Sequence, residues 1–134
     1  MIIYRLTDRI PVKIGELTFW VSPLSYEQKV NLQECRKMEG GQEVVDHGAR
    51  ARLAIKYGVK EIQGIECADG SPYQPKMDSD GTLSMEAVDE LSALNSLKEL
   101  VMVCMSVAAR GVPDSEIPGV EVDLKGVKNA EKKD

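Results

Sequence analysis

The chain has 134 residues, an apolar fraction of 43% and a net charge of −5. This length suits one domain with a modest core. The acidic balance argues against nucleic acid as a main ligand, because phosphate binding needs concentrated Lys and Arg. No segment approaches the roughly 20 apolar residues of a membrane span, and the N-terminus lacks the features of a signal peptide. We therefore expect a soluble, cytoplasmic protein without a membrane partner.

The first predicted element is a β-hairpin over residues 10–21. Apolar residues occupy every second position in two runs of three: Ile10, Val12 and Ile14, then Leu17, Phe19 and Val21. This period of two is typical of half-buried strands, and Gly15 can supply a tight turn between them. The second triplet should face the core, which places Trp20 on the opposite face, outward or beneath a helix.

Two helices are predicted after the hairpin. Ser25 can cap the first, with Gln28 completing a capping box. We expect this helix to cover residues 26–38 and to end at Gly40-Gly41. The second helix is expected over residues 43–57, where apolar side chains recur with a spacing of four.

The second half of the chain predicts one further long helix. Residues 59–66 form either a third strand or an extended connector, and two Asp-Gly pairs after them are turn signals. A final helix capped by Ser84 is expected to reach residue 109. Ser106 is the one polar residue between residues 100 and 109. Such a helix must be covered on more than one side, either in the domain centre or by another subunit.

These elements predict a small α+β fold, in which the N-terminal hairpin packs with about three helices. We expect a single domain over residues 1–111. Residues 112–134 contain two prolines and a charged end, and have low apolar density apart from Val120, Val122 and Leu124. We expect them to form a mostly extended or disordered, flexible tail.

No catalytic, cofactor-binding or metal-binding residues are predicted. The single histidine, His47, has no Cys or His at ligand spacing, so a solvated helix position is the simpler interpretation. Cys35, Cys67 and Cys104 are odd in number and far apart, as expected in a reducing compartment. An enzyme would require His47, a cysteine and a carboxylate to meet in one cleft.

Two surfaces are candidates for partner binding. An outward Trp20 would be a strong anchor for a partner. The apolar end of the last helix is the second candidate, and the net negative charge would keep such a surface soluble. The predicted partner-binding residues are Trp20, Leu97, Val101, Met102 and Met105.

Three short motifs occur in a characteristic order. Val21-Ser-Pro-Leu-Ser-Tyr-Glu27 follows the hairpin, Ile62-Gln-Gly-Ile-Glu66 follows the second helix, and Asp80-Gly-Thr-Leu-Ser84 precedes the long helix. Over roughly residues 10–109 this order resembles tail assembly chaperones of long-tailed bacteriophages. The resemblance implies a host-cytoplasmic protein that binds the tape-measure protein, with tail-tube subunits as a further candidate client. It also implies self-association, and it involves no cofactor.

Three alternatives remain open at this point. The first is a structural subunit of a phage tail or head–tail connector, which would stay in the particle. The second is an enzyme, or an accessory subunit of one, with an unrecognised site. The third is an acidic regulator that binds a host protein.

Overall fold

The computed structural model describes residues 2–129 and has an α+β architecture, in agreement with the sequence. Within residues 2–129 the main sheet is antiparallel. Its strands are β1 (Asp8–Ile14), β2 (Leu17–Val21), β5 (Val59–Gln63), β6 (Val120–Val122) and β7 (Lys128–Asn129). Its order is β5-β2-β1-β6, and β7 pairs with the other end of β1. The helices are α1 (Tyr26–Gln33), α2 (His47–Gly58), α3 (Met85–Leu91) and α4 (Leu97–Arg110). A separate two-stranded hairpin contains β3 (Arg36–Glu39) and β4 (Gln42–Val45).

The predicted β1–β2 hairpin forms. Ile10 pairs with Val21, and Val12 pairs with Phe19. Directly opposed residues share a face of the sheet, and these four side chains are fully buried. They form the inner face of the sheet, so the alternating pattern identified the core side correctly.

The helices cover the inner face of the sheet and complete one core. α4 contributes Leu100, Val103, Cys104 and Val107, and it packs chiefly against α2. α3 contributes Ala87, Val88 and Leu91. None of the helices within residues 2–129 has the length and apolar content needed to cross a bilayer.

A partly buried lysine, Lys56, joins α2 to the loop that precedes α3. The Nζ of Lys56 donates to the Leu83 carbonyl at 2.6 Å and to the Thr82 hydroxyl at 3.0 Å. It also lies 2.6 Å from a carboxylate oxygen of Asp78. We call this set the Lys56 clamp. The clamp places the loop so that Ser84, with its side chain bonded to the Ala87 N–H, caps α3.

The first two helices are shorter than predicted, because a hairpin lies between them. α1 ends at Gln33, and residues 36–45 form β3 and β4. Gly40 and Gly41 have φ angles of 59° and 80°, which are typical of a two-residue type I′ turn. They therefore close a hairpin and do not end a helix. α2 begins at His47, capped by the Asp46 side chain.

The single long final helix was a wrong prediction. The chain leaves the helix after Leu91 and resumes it at Leu97. Between them the Ser92 hydroxyl donates to the Asp89 carbonyl at 2.5 Å. Serine and asparagine side chains compete in this way with helical backbone bonds, and residues 92–96 contain two serines and one asparagine.

The structure corrects the domain boundary predicted at residue 111. β6 pairs with β1 through Val122 opposite Val12 and Val120 opposite Ile14. Ile117 and Val120 are buried in the core. Residues 120–129 therefore complete the second edge of β1 and do not form a disordered tail. The last part of the predicted tail, residues 130–134, lies outside the described residues.

Candidate functional site

The outer face of the main sheet carries an open groove of about 720 Å³. We call it the outer groove. Pro11, Lys13, Thr18 and Trp20 lie on this face because they alternate with the core residues of β1 and β2. The segment containing β6 lines the far side, which includes Glu121.

Trp20 lies in the outer groove but is only partly exposed. The Nζ of Lys128 is 4.1 Å from the centroid of its ring, a cation–π contact. Lys128 also pairs with Glu61 at 2.7 Å, and Glu61 in turn contacts Arg9. Trp20 is thus covered by the C-terminal segment and not by a helix.

The indole N–H of Trp20 is an unusual feature of the outer groove. Its Nε1 atom is buried and has no acceptor within residues 2–129. A buried donor without an acceptor costs about 1–3 kcal/mol. The indole N–H of Trp20 therefore lowers the stability of the fold.

A second groove lies on the helical side, between α1, α2 and α4, with a volume of about 450 Å³. We call it the helix groove. Leu32, Met105 and Ala108 supply apolar lining, and Lys29 and Arg50 add basic side chains. The Arg50 Nε donates to the Leu32 carbonyl at 3.2 Å, which holds that side chain against α1.

The predicted residues of α4 differ in exposure. Leu97, Val101 and Met105 are half-buried and pack against the core, whereas Met102 is 41% exposed. Among these four, Met105 lines the helix groove. The end of α4 is therefore covered mainly within the domain, which favours the first of the two explanations for its apolar composition.

The structure does not bring the five predicted residues together. Trp20 lies on the outer face of the sheet, and the four α4 residues lie in the helical layer on the inner side. The sequence missed the α1 side chains of the helix groove, Lys29 and Gln33, because nothing in their local pattern distinguishes them from other solvated helix residues. It also missed Lys128, which belongs to the predicted tail.

The residues considered for catalysis lie in ordinary environments. His47 is exposed at the start of α2. The Cys35 thiol donates to the Asn31 carbonyl at 3.4 Å. Burial raises the pKa of Cys35 despite the opposing charge of Arg50, whereas an activated thiol has a lowered pKa.

Burial also raises the pKa of Cys104 to about 12. Within the part of the chain that is described, no three His, Cys, Asp or Glu side chains are grouped to hold a metal ion. Comparisons with protein-family models, curated proteins and solved structures find no match to the chain.

Proposed function

We propose that the chain is a tail assembly chaperone of a long-tailed bacteriophage, which binds the tape-measure protein in the host cytoplasm. The observation that carries this proposal is the apolar lining of the helix groove, with the exposed Met102 on the same helix. Tail-tube subunits are a second candidate client. The order of motifs along residues 10–109 supports the same assignment.

The helix groove suits a helical client. Amphipathic helices bind by laying their apolar face into a groove between helices. Methionine adapts its shape to different partners because its side chain is unbranched and flexible. The basic Lys29 and Arg50 would favour acidic side chains on the solvent side of the client helix.

The charge of the protein suits a carrier of an aggregation-prone client. A net charge of −5 helps to keep a protein that exposes apolar surface soluble. A complex would inherit this charge while the apolar face of the client is covered. The chaperone would therefore keep a long helical chain soluble until assembly.

The proposal is tested by co-expression with the tape-measure protein encoded in the same phage genome. We expect the chain to increase the soluble fraction of that client. Ala109→Arg, at an exposed position of the helix groove, should reduce this increase at least threefold. The matched control is Gln63→Arg in the outer groove, which should behave as the wild type.

Other results would contradict the proposal. No increase in client solubility, or a genome without a tape-measure gene, would exclude the chaperone function. Recovery of the chain in purified virions would favour a structural subunit. A loss with Gln63→Arg and none with Ala109→Arg would assign client binding to the outer groove.

A further inference from the structure

The β3–β4 hairpin forms a two-stranded sheet of its own, separate from the main sheet. Within residues 2–129, β4 is the only strand that pairs with β3. All four side chains of β3 are exposed, and that of Met38 is 69% exposed. An isolated two-stranded hairpin is marginally stable in water, so pairing with an additional strand would stabilise this hairpin.

The free edge of β3 has a defined hydrogen-bonding pattern. Lys37 is opposite Val44, and beyond the base of the hairpin the Asp46 N–H donates to the Cys35 carbonyl at 2.9 Å. Bonded and non-bonded pairs alternate along an antiparallel ladder. Cys35, Lys37 and Glu39 therefore direct their backbone groups toward β4. Met38 directs its N–H and C=O toward the free edge.

We propose that β3 pairs antiparallel with β3 of a second copy of this chain, about a two-fold axis at Met38. The two Met38 residues would then exchange two N–H···O=C bonds. Lys37 of each copy would lie opposite Glu39 of the other, on the face away from Met38. Opposite charges at directly facing positions stabilise a strand pair, and this contact occurs twice because the interface is isologous.

The charges of β3 favour its own copy over unrelated strands. A lysine on an edge strand normally discourages pairing, because it is placed opposite an arbitrary residue. In the register centred on Met38 each Lys37 instead meets a carboxylate. A register shifted by one residue on each strand would place Lys37 opposite Lys37, so the charges also specify the alignment.

The paired hairpins would form a four-stranded sheet in the order β4-β3-β3-β4. The two Cys35 residues would be six positions apart along it, or about 20 Å. This spacing leaves the two domains at opposite ends of the joined sheet. Because β3 has only four residues, the interface would be small, and we expect a dimer that depends on concentration. This inference is independent of the proposed function.

Sedimentation velocity tests the charge pairing at protein concentrations from about 10 µM to about 1 mM. We expect the wild type to dimerise across this range. Lys37→Glu and Glu39→Lys should each weaken dimerisation at least tenfold, because each places like charges opposite one another. An equimolar mixture of the two variants should dimerise again, because both charge pairs are then complementary. Glu27→Lys, on the exposed surface of α1, is the matched control and should behave as the wild type.

Two outcomes would overturn the inference. One is a wild type that stays monomeric throughout. The other is a mixture of Lys37→Glu and Glu39→Lys that associates no better than either variant alone. The circular dichroism spectra of both variants should match the wild type, since these side chains are exposed and their ion pair spans 3.9 Å.

Disulfide trapping tests the position of the axis. Bonded pairs have Cα atoms about 5.5 Å apart, which is within disulfide range. Met38→Cys, with Cys35 and Cys67 changed to serine, should form a covalent dimer at least tenfold faster than Glu43→Cys in the same background. Equal rates would exclude the proposed register. Because no client takes part, lost client binding with normal trapping would contradict only the chaperone function.

Discussion

Replacement of Lys56 by methionine tests whether one partly buried ammonium group holds the loop before α3. Methionine keeps most of the apolar stem but removes the donor of the Lys56 clamp. The Leu83 carbonyl loses a charge-assisted hydrogen bond of 2.6 Å, worth about 1.5–3 kcal/mol. The pair with Asp78, whose side chain is 47% exposed, adds about 0.5 kcal/mol because solvent screens it. We expect a total loss of about 3 kcal/mol in the free energy of unfolding.

Urea unfolding of Lys56→Met at pH 7, followed by circular dichroism, measures this loss. The thermal midpoint should fall by about 10 °C for a domain of this size. Lys60→Met, in strand β5 directly after α2, is the matched control. Its Nζ lies 3.3 Å from the Gly81 carbonyl, and burial lowers its pKa, so its charge stabilises little and the change should be below about 0.5 kcal/mol. Equal stabilities for the two variants would refute the role of the Lys56 clamp.

Three further predictions concern other parts of the domain. Val101→Asp places a charge beside the core and should lower the free energy of unfolding by about 2 kcal/mol. Met102→Asp, at an exposed position, should not lower it. An unchanged thermal midpoint and an unchanged mass in solution for Val101→Asp would contradict this prediction. Gly64→Ala should lower the free energy of unfolding by about 2 kcal/mol, because a Cβ there would lie 2.9 Å from a backbone carbonyl oxygen. Gly70→Ala, where a Cβ would have no neighbour within 4 Å, should lower it less; equal losses in the two variants would contradict the steric reasoning. The pKa of Cys104 is about 12 in the folded chain, above the ordinary 9.0, so the stability that the neutral thiol contributes is complete below pH 9 and falls as the pH rises to 12. By pH 10.5 we expect the free energy of unfolding to fall by about 2 kcal/mol in the wild type but not in Cys104→Val. Parallel pH profiles of stability for the two proteins would contradict this prediction.

The β1–β2 hairpin and the caps at Ser25 and Ser84 could be read from the sequence. The alternation of apolar side chains identifies a strand because successive side chains point to opposite faces. A serine before a helix forms a local bond to a nearby N–H, so its role depends on few distant residues. Both caps form these bonds.

The candidate surfaces could be predicted only in part. The apolar composition of α4 indicated a covered helix, but its pattern did not show which side chains the domain itself would cover. Val101 and Met105 pack against the core, while Met102 remains exposed. Trp20 was placed correctly away from the core face, but its contact with Lys128 joins residues 108 positions apart in the chain.

The sequence by itself determined the α+β class, the core face of the first hairpin and the acidic character of the protein. These depend on local periodicity and composition. Only the tertiary structure decided that residues 120–129 join the main sheet, because the open edge of β1 selects its partner over a long sequence separation. It also decided that Gly40-Gly41 turns a hairpin, since a glycine pair can end a helix or join two strands, and the pairing of β3 with β4 distinguishes the two.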